Sequence, residues 1–179
     1  NNVPTMGADT AFTFTEDTPA SFGIGAPADN DAGDTLTITV DSIPTGGVLT
    51  LSDGTTVSSG STLTTTQLDG ITFSPNANVN SASDSIGTLT LTVTDGNGGS
   101  DSASFTFEIS AVDDSPTAIT LSDSSIIENI LGDQVGSITV TDVDSSSFTY
   151  TISGADAALF EITNDGVLKL KDTLTVNFE

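Results

Sequence analysis

An all-β chain of two immunoglobulin-like β-sandwiches in tandem is predicted, on three observations. Short runs with period-two alternation recur throughout, divided by Gly, Asp, Asn, Ser and Pro. Helical periodicity is nearly absent, with at most one helical turn between Ala155 and Phe160. The order of features also repeats at an offset of 112 residues, and a repeat constrains the fold more than any single element does.

Taken in order, Ala11–Thr15 alternates cleanly and is broken by Glu16-Asp17-Thr18-Pro19. Residues 28–34 form a loop that holds Asp29, Asp31 and Asp34. Leu36–Val40 is a half-buried strand with Leu36, Ile38 and Val40 inward. The chain turns between Pro44 and Gly47, runs through Val48–Leu51, and turns again at Asp53-Gly54. Ile71–Phe73 is a further strand, followed by a Pro- and Asn-rich loop over 74–83. Two longer strands, Gly87–Thr94 and Ser104–Ile109, flank the turn Asp95-Gly96-Asn97-Gly98-Gly99. About seven strands in roughly 105 residues suit one immunoglobulin-like sandwich.

The second half repeats the first. Pro4 falls on Pro116, Glu16 on Glu128, and Leu36–Val40 on Phe148–Ile152. Asp29 and Asp31 meet Asp142 and Asp144 with one further residue of shift, and Gly47–Leu51 meets Gly166–Leu170 after an insertion. The expected domains are therefore 1–112, complete, and 113–179, which lacks its last pair of strands. Either the chain is truncated or cleaved there, or a neighbouring chain supplies the missing strands by strand addition. Between the domains lies Val112-Asp113-Asp114-Ser115-Pro116, with a faint copy at Asn1-Asn2-Val3-Pro4.

Composition narrows the partners. The chain has 25 Asp plus Glu, two Lys, no Arg and no His, for a formal net charge of −23. Nothing in it can neutralise phosphates, which excludes nucleic acid and anionic membrane surfaces. Such a charge repels itself in a compact domain unless cations gather on it, so divalent cations are the natural partner. Hydrophobic residues at 35% and abundant Thr, Val and Ile argue for a packed β chain over a disordered acidic tail. Cys is absent, so neither disulfides nor thiolate metal sites are expected. No apolar run approaches the roughly 18 residues of a membrane span.

The motifs resemble a known family. The second half resembles a cadherin repeat: Ile127-Glu128-Asn129 is similar to its first acidic motif, and Asp142-Val143-Asp144 to its Asp-x-Asp motif. Leu159–Ile162 with Gly166–Leu168 is similar to its middle strands, Asn177-Phe178-Glu179 to its second acidic motif, and Asp113–Pro116 to its linker. The first half is similar to the bacterial cadherin-like repeats of large calcium-dependent (RTX-type) surface adhesins, through Thr15–Pro19 and Val93–Gly99. It departs from the pattern at Phe73-Ser74-Pro75, where the family places its second acidic motif. That departure implies fewer ligands at the joint.

The resemblance implies Ca²⁺ bound where the domains join. Calcium takes six to eight oxygens, and alternate residues of an Asp-x-Asp loop can face one side. Glu16 and Asp17 would come from the base of the first domain, Asp113 and Asp114 from the linker, and Asp142 and Asp144 from the top of the second. By the same logic the ends carry half-sites. Asn1, Asn2, Asp29, Asp31, Asp34 and Asp95 lie at the top of the first domain, Glu128 and Glu179 at the base of the second. Plainer readings stand beside these. Asp53, Asp69, Asp123 and Asp165 are turn residues whose carboxylates cap their own backbone, and Asp95 can be read as turn residue or ligand. Phe12, Phe14, Phe105 and Phe107 are core residues, and Lys169 is a strand-face lysine.

The functional expectation is a calcium-rigidified extender module of a large secreted or cell-surface bacterial adhesin, with adjacent repeats of the same polypeptide as partners. The alternative is a subunit of an extracellular filament or surface array. A carbohydrate-binding module is disfavoured by one Tyr and no Trp, and an enzyme by the lack of His, Cys and Arg.

Overall fold

The computed structural model describes residues 1–177 and 179. Its contacts divide into two compact units, Asn1–Val112 and Asp113–Glu179. Both are all-β.

The first unit has eight strands: β1 (Thr10–Thr15), β2 (Ala20–Phe22), β3 (Thr37–Ser42), β4 (Gly47–Thr50), β5 (Thr62–Leu63), β6 (Ile71–Pro75), β7 (Thr88–Thr94) and β8 (Ser100–Ser110). They form one sheet in the order β1-β8-β7-β3-β5 and a facing sheet in the order β2-β6-β4. Alternation in sequence becomes alternation in burial. In β7, Leu89, Leu91 and Val93 are buried between half-exposed threonines. In β8, Ala103, Phe105, Phe107 and Ile109 are buried in the same rhythm. Phe14, Phe22, Phe73 and Phe107 meet with ring centroids 4.8–5.6 Å apart, close enough for edge-to-face packing to add to burial. Phe14, Phe105 and Phe107 are core residues, as expected, and Phe12 is partly buried against them.

Short elements escaped sequence reading. β2 and β5 hold only three and two residues, too few to show a period. A 3-10 turn at Leu68–Gly70 is set by the buried Leu68. β8 extends from Ser100, because Ser100 and Asp101 pair with Thr94 and Val93 across the turn.

The second unit has β9 (Ala118–Leu121), β10 (Gln134–Thr141), β11 (Phe160–Ile162) and β12 (Val167–Leu170), with a 3-10 turn at Ala157–Leu159. They make a single sheet in the order β11-β12-β10-β9. Pairing corrects one equivalence expected from sequence. β12 pairs with both β10 and β11, as β6 pairs with both β2 and β4. Gly166–Leu170 therefore stands in the place of β6 rather than of Gly47–Leu51, and β11 takes the place of β4. Leu170 in β12, like Phe73 in β6, is fully buried.

The expected strand Phe148–Ile152 does not form, although Phe148, Tyr150 and Ile152 keep the alternation of half-buried and exposed positions. The first copy, β3, is held by β5 and β7. In the second unit neither neighbour is present among the described residues, and an extended segment with no ladder has nothing to fix it.

Candidate metal centre

Three acids converge at one end of the first unit. One carboxylate oxygen each of Asp29, Asp34 and Asp95 lies within 4.8 Å of the others. Asp29 and Asp34 come from the loop between β2 and β3, and Asp95 from the β7–β8 turn. Asp95 is 3% exposed. Its Oδ1 accepts the amides of Asn97 at 2.7 Å and Gly99 at 2.9 Å, and its Oδ2 accepts Asn1 Nδ2 at 2.8 Å. The Asn1 amide, aided by these backbone bonds, holds the Asp95 carboxyl below the usual carboxylate value, against desolvation acting the other way.

The turn that presents Asp95 depends on glycine. Gly96 and Gly98 have φ of +76° and +101°, conformations that L side chains rarely adopt. A Cβ on Gly99 would lie 2.3 Å from Asp95 Oδ2 and 2.9 Å from Pro4 Cδ, so only glycine lets this backbone approach the carboxylate.

The Asp29 loop is tied in the same way. Asp31 N donates to Asp29 Oδ1 at 2.8 Å, Asn2 N donates to Asp31 Oδ2, and Asn97 Nδ2 donates to Asp34 Oδ1 at 2.9 Å. Each of these bonds uses one oxygen of its carboxylate. The Oδ2 atoms of Asp29 and Asp34 are buried and have no partner. A buried carboxylate oxygen without a donor is costly, and a hard cation removes that cost.

The second unit repeats this wiring. Asp144 N and Ser145 N donate to Asp142 Oδ1 at 3.1 and 2.8 Å, and Asp114 N donates to Asp144 Oδ2 at 3.0 Å. Asp142 Oδ2 is again buried and partnerless, as its counterpart Asp29 Oδ2 is. The Ser145 amide is the main cause of a lowered Asp142 pKa. Asp113 is joined to the group through Ser145 Oγ, 3.2 Å from Asp113 Oδ1. What this unit lacks, among the described residues, is a counterpart of Asp95, whose turn belongs to β7 and β8.

Glu16 follows β1 at the other end of the first unit. It is 2% exposed, Oε1 accepts Val112 N at 2.6 Å, and Oε2 is buried without a partner. Asp17 follows in the left-handed region at φ +59°, and its counterpart Asn129 repeats this at +64°. Asp17 and Glu128 are exposed. Glu179 is exposed, its amide donating to Asn177 Oδ1 at 3.2 Å; Phe178 of that motif lies outside the described residues. Among the described residues, Asp29, Asp34 and Asp95 alone form a three-carboxylate cluster. The residues missed by sequence reading are Asn97 and Gly99, whose signal was the Asp-Gly-Asn-Gly-Gly spacing itself. Asp53 and Asp123 are turn caps, accepting from Thr55 and from Ser124 and Ser125. Lys169 pairs with Glu161 at 3.5 Å and with Asp172.

Residues 1–108 match the family model described as bacterial Ig domain. The chain belongs to that family. No curated protein matches it. Among solved structures it is similar to protocadherin gamma C5 EC1-3 (TM-score 0.57, 20% identity), covering 99% of this chain and 58% of that one. It is also similar to the extracellular cadherin domains 1-4 of protocadherin gamma B7 (0.60, 16%, covering 99% and 42%). Human protocadherin-24 EC1-2 is matched at 0.55 and 18%, covering 97% and 79%. At these identities the likeness shows the fold: this bacterial Ig chain is cadherin-like. Both kinds of domain are structural, non-enzymatic and typically extracellular repeats. No described helix is long and apolar enough to cross a membrane.

Proposed function

We propose that this bacterial Ig chain is a calcium-stiffened spacer of a large secreted or surface-anchored bacterial protein, an adhesin of the RTX type, joined to further repeats of the same polypeptide. The observation that carries the reading is the set of buried carboxylate oxygens without a donor, Asp29 Oδ2, Asp34 Oδ2, Asp142 Oδ2 and Glu16 Oε2. Buried polar atoms are almost always satisfied in folded proteins. Four exceptions among the described residues, all of them carboxylates, fit an oxygen-seeking divalent cation, and the absence of soft ligands favours calcium over zinc or copper.

In the first unit Asp29, Asp34 and Asp95 would hold the ion. In the second, Asp142 leads, with Asp113, Asp114 and Asp144 beside it. Glu16 Oε2, with Asp17 next to it in the chain, offers a donorless oxygen of the same kind at the other end of the first unit. The ion would supply positive charge that offsets repulsion among the acids and fixes loops otherwise free to part. With affinities in the extracellular range of about 10⁻⁴–10⁻³ M, stiffness would follow external calcium.

Calorimetric melting of the chain in millimolar calcium and in chelator tests this. The expected result is a rise in melting temperature with calcium, together with binding heat in titration. Identical melts and no binding heat would reduce the acids to surface charge.

A further inference from the structure

The turn beside the three acids carries a reactive pair that the cation does not use. Asn97 is the only asparagine in the chain followed by glycine. In such a pair the glycine nitrogen can attack the asparagine side chain, because no Cβ on the second residue shields it. Asn97 and Gly98 are both exposed, so water reaches the reacting atoms. Asn97 N and Gly99 N both donate to Asp95 Oδ1, whereas Gly98 N between them donates to no acceptor among the described residues. The nucleophile of the turn is therefore free. The electrophile is held: Asn97 Nδ2 donates to Asp34 Oδ1 at 2.9 Å, from one loop to the other.

That bond opposes the reaction in two ways. It ties the side chain to the loop of Asp34, and it uses Nδ2 as a donor to a carboxylate, whereas a departing nitrogen has to take up a proton. We propose that Asn97-Gly98 is a self-modification site held in check by Asp34, and that parting of the two loops lets Asn97 deamidate. In the first step Gly98 N gives its proton to water or hydroxide and bonds to Asn97 Cγ. The Cγ–Nδ2 bond then breaks, and the nitrogen leaves as ammonia with a proton drawn from water, closing a cyclic imide. Water opens the ring at Cγ to give aspartate, or at the Asn97 carbonyl carbon to give isoaspartate. Overall one water is consumed and one ammonia released, with nothing oxidised or reduced.

Either product keeps the loops apart. Aspartate at this position puts an oxygen where Nδ2 had donated to Asp34 Oδ1, so two carboxylates face each other and repel. Isoaspartate adds a methylene to the main chain between the Asn97 and Gly99 amides, both of which Asp95 Oδ1 accepts. The turn has no slack for it, since a single Cβ on Gly99 would already lie 2.3 Å from Asp95 Oδ2. Local openings of a loop are ordinarily reversible. Deamidation makes this one permanent.

The test incubates the full chain in chelator at mildly alkaline pH, beside a free peptide of residues 93–101. Conversion at Asn97 is followed by peptic peptide mapping and by enzymatic methylation of isoaspartate. The expected result is mixed aspartate and isoaspartate at Asn97, formed more slowly in the chain than in the peptide. Asp34→Ala, which removes the acceptor, should raise the rate in the chain by about fivefold or more. Asp34→Asn, which keeps an oxygen for the Asn97 amide, should stay near the wild type. Asn97→Asp, which encodes one product, should melt a few degrees below the wild type, and most of that loss should vanish when Asp34→Ala is also present. Four results would overturn the proposal: a chain that converts as fast as the peptide, an Asp34→Ala chain no faster than the wild type, aspartate formed without isoaspartate, or a loss in Asn97→Asp that is the same with and without Asp34→Ala. Because calcium is absent from the assay, its outcome is separate from that of the calcium melt.

Discussion

Val112 donates its backbone N–H to Glu16 Oε1 at 2.6 Å, while Glu16 Oε2 is buried with no donor. One half of the carboxylate is thus satisfied within the first unit and the other half is left with an unpaired charge. Glu16→Gln separates the two halves. The glutamine carbonyl still accepts from Val112, and a neutral amide replaces the partnerless oxygen. In chelator the variant should melt a few degrees higher, because an unpaired buried charge costs more than an unpaired amide. In calcium the order should reverse, the wild-type chain gaining a stabilisation that the variant lacks. Differential scanning calorimetry in both conditions reads the crossing. Parallel shifts in both would place Glu16 outside any cation site.

Asp29 and Asp34 each keep one oxygen for an internal hydrogen bond and turn the other inward without a partner. Asp34→Asn keeps an oxygen for the Asn97 amide and removes the partnerless charge, so in chelator the fold should be as stable as the wild type or slightly more so. The same change should lower calcium affinity at the first unit by tenfold or more, the usual scale for losing a charged ligand from a small oxygen set, roughly 1–2 kcal/mol. Isothermal titration would show one class of sites weakened and the rest intact. A full complement of unaltered sites would contradict the assignment.

Asp95 and Asp142 both have pKa values lowered chiefly by hydrogen bonds to the ionised form, from Asn1 and from Ser145 respectively. A carboxylate with a folded pKa below its unfolded value contributes stability that is fully present above the unfolded value. It is lost as the pH falls through the folded one. The window therefore opens near the ordinary value of 3.8 and extends downward. In chelator, stability of the first unit should fall below that pH, and Asp95→Asn should flatten the acid limb. Urea titrations at stepped pH measure the slope. An acid limb as steep in Asp95→Asn as in the wild type would remove Asp95 from the linkage.

Much of this was legible in the chain. The alternation in β3 named Ile38 and Val40 as inward, Phe14 of β1 and Phe105 and Phe107 of β8 read as core, and Asp29, Asp34 and Asp95 stood out as loop acids. Two things were not legible, each for a physical reason. Gly166–Leu170 reads like Gly47–Leu51 because both are Gly followed by alternating apolar residues, and only pairing with β10 shows that it fills the β6 position. Phe148–Ile152 reads as a strand because period-two burial is local, whereas a strand persists only with a neighbour to bond. The contribution of Asn97 was hidden because its side chain reaches Asp34 across 63 residues.

Gly99 offers the sharpest steric test of the first-unit centre. Its amide donates to both oxygens of Asp95, at 2.9 and 3.1 Å, and an added Cβ would meet Asp95 Oδ2 at 2.3 Å and Pro4 Cδ at 2.9 Å. The carboxylate cannot retreat without giving up the Asn97 and Gly99 amides, and Pro4 is itself buried. Gly99→Ala should therefore destabilise the first unit by about 1–3 kcal/mol, the usual scale of overpacking. It should also push Asp95 away from Asp29 and Asp34 and weaken calcium binding in step. Gly25→Ala, where nothing lies within 4 Å of the new Cβ, serves as the control. Melting curves and calcium titrations on the pair would decide it: a Gly99→Ala chain as stable and as calcium-responsive as Gly25→Ala would mean that the turn relaxes freely and the approach to Asp95 is not constrained.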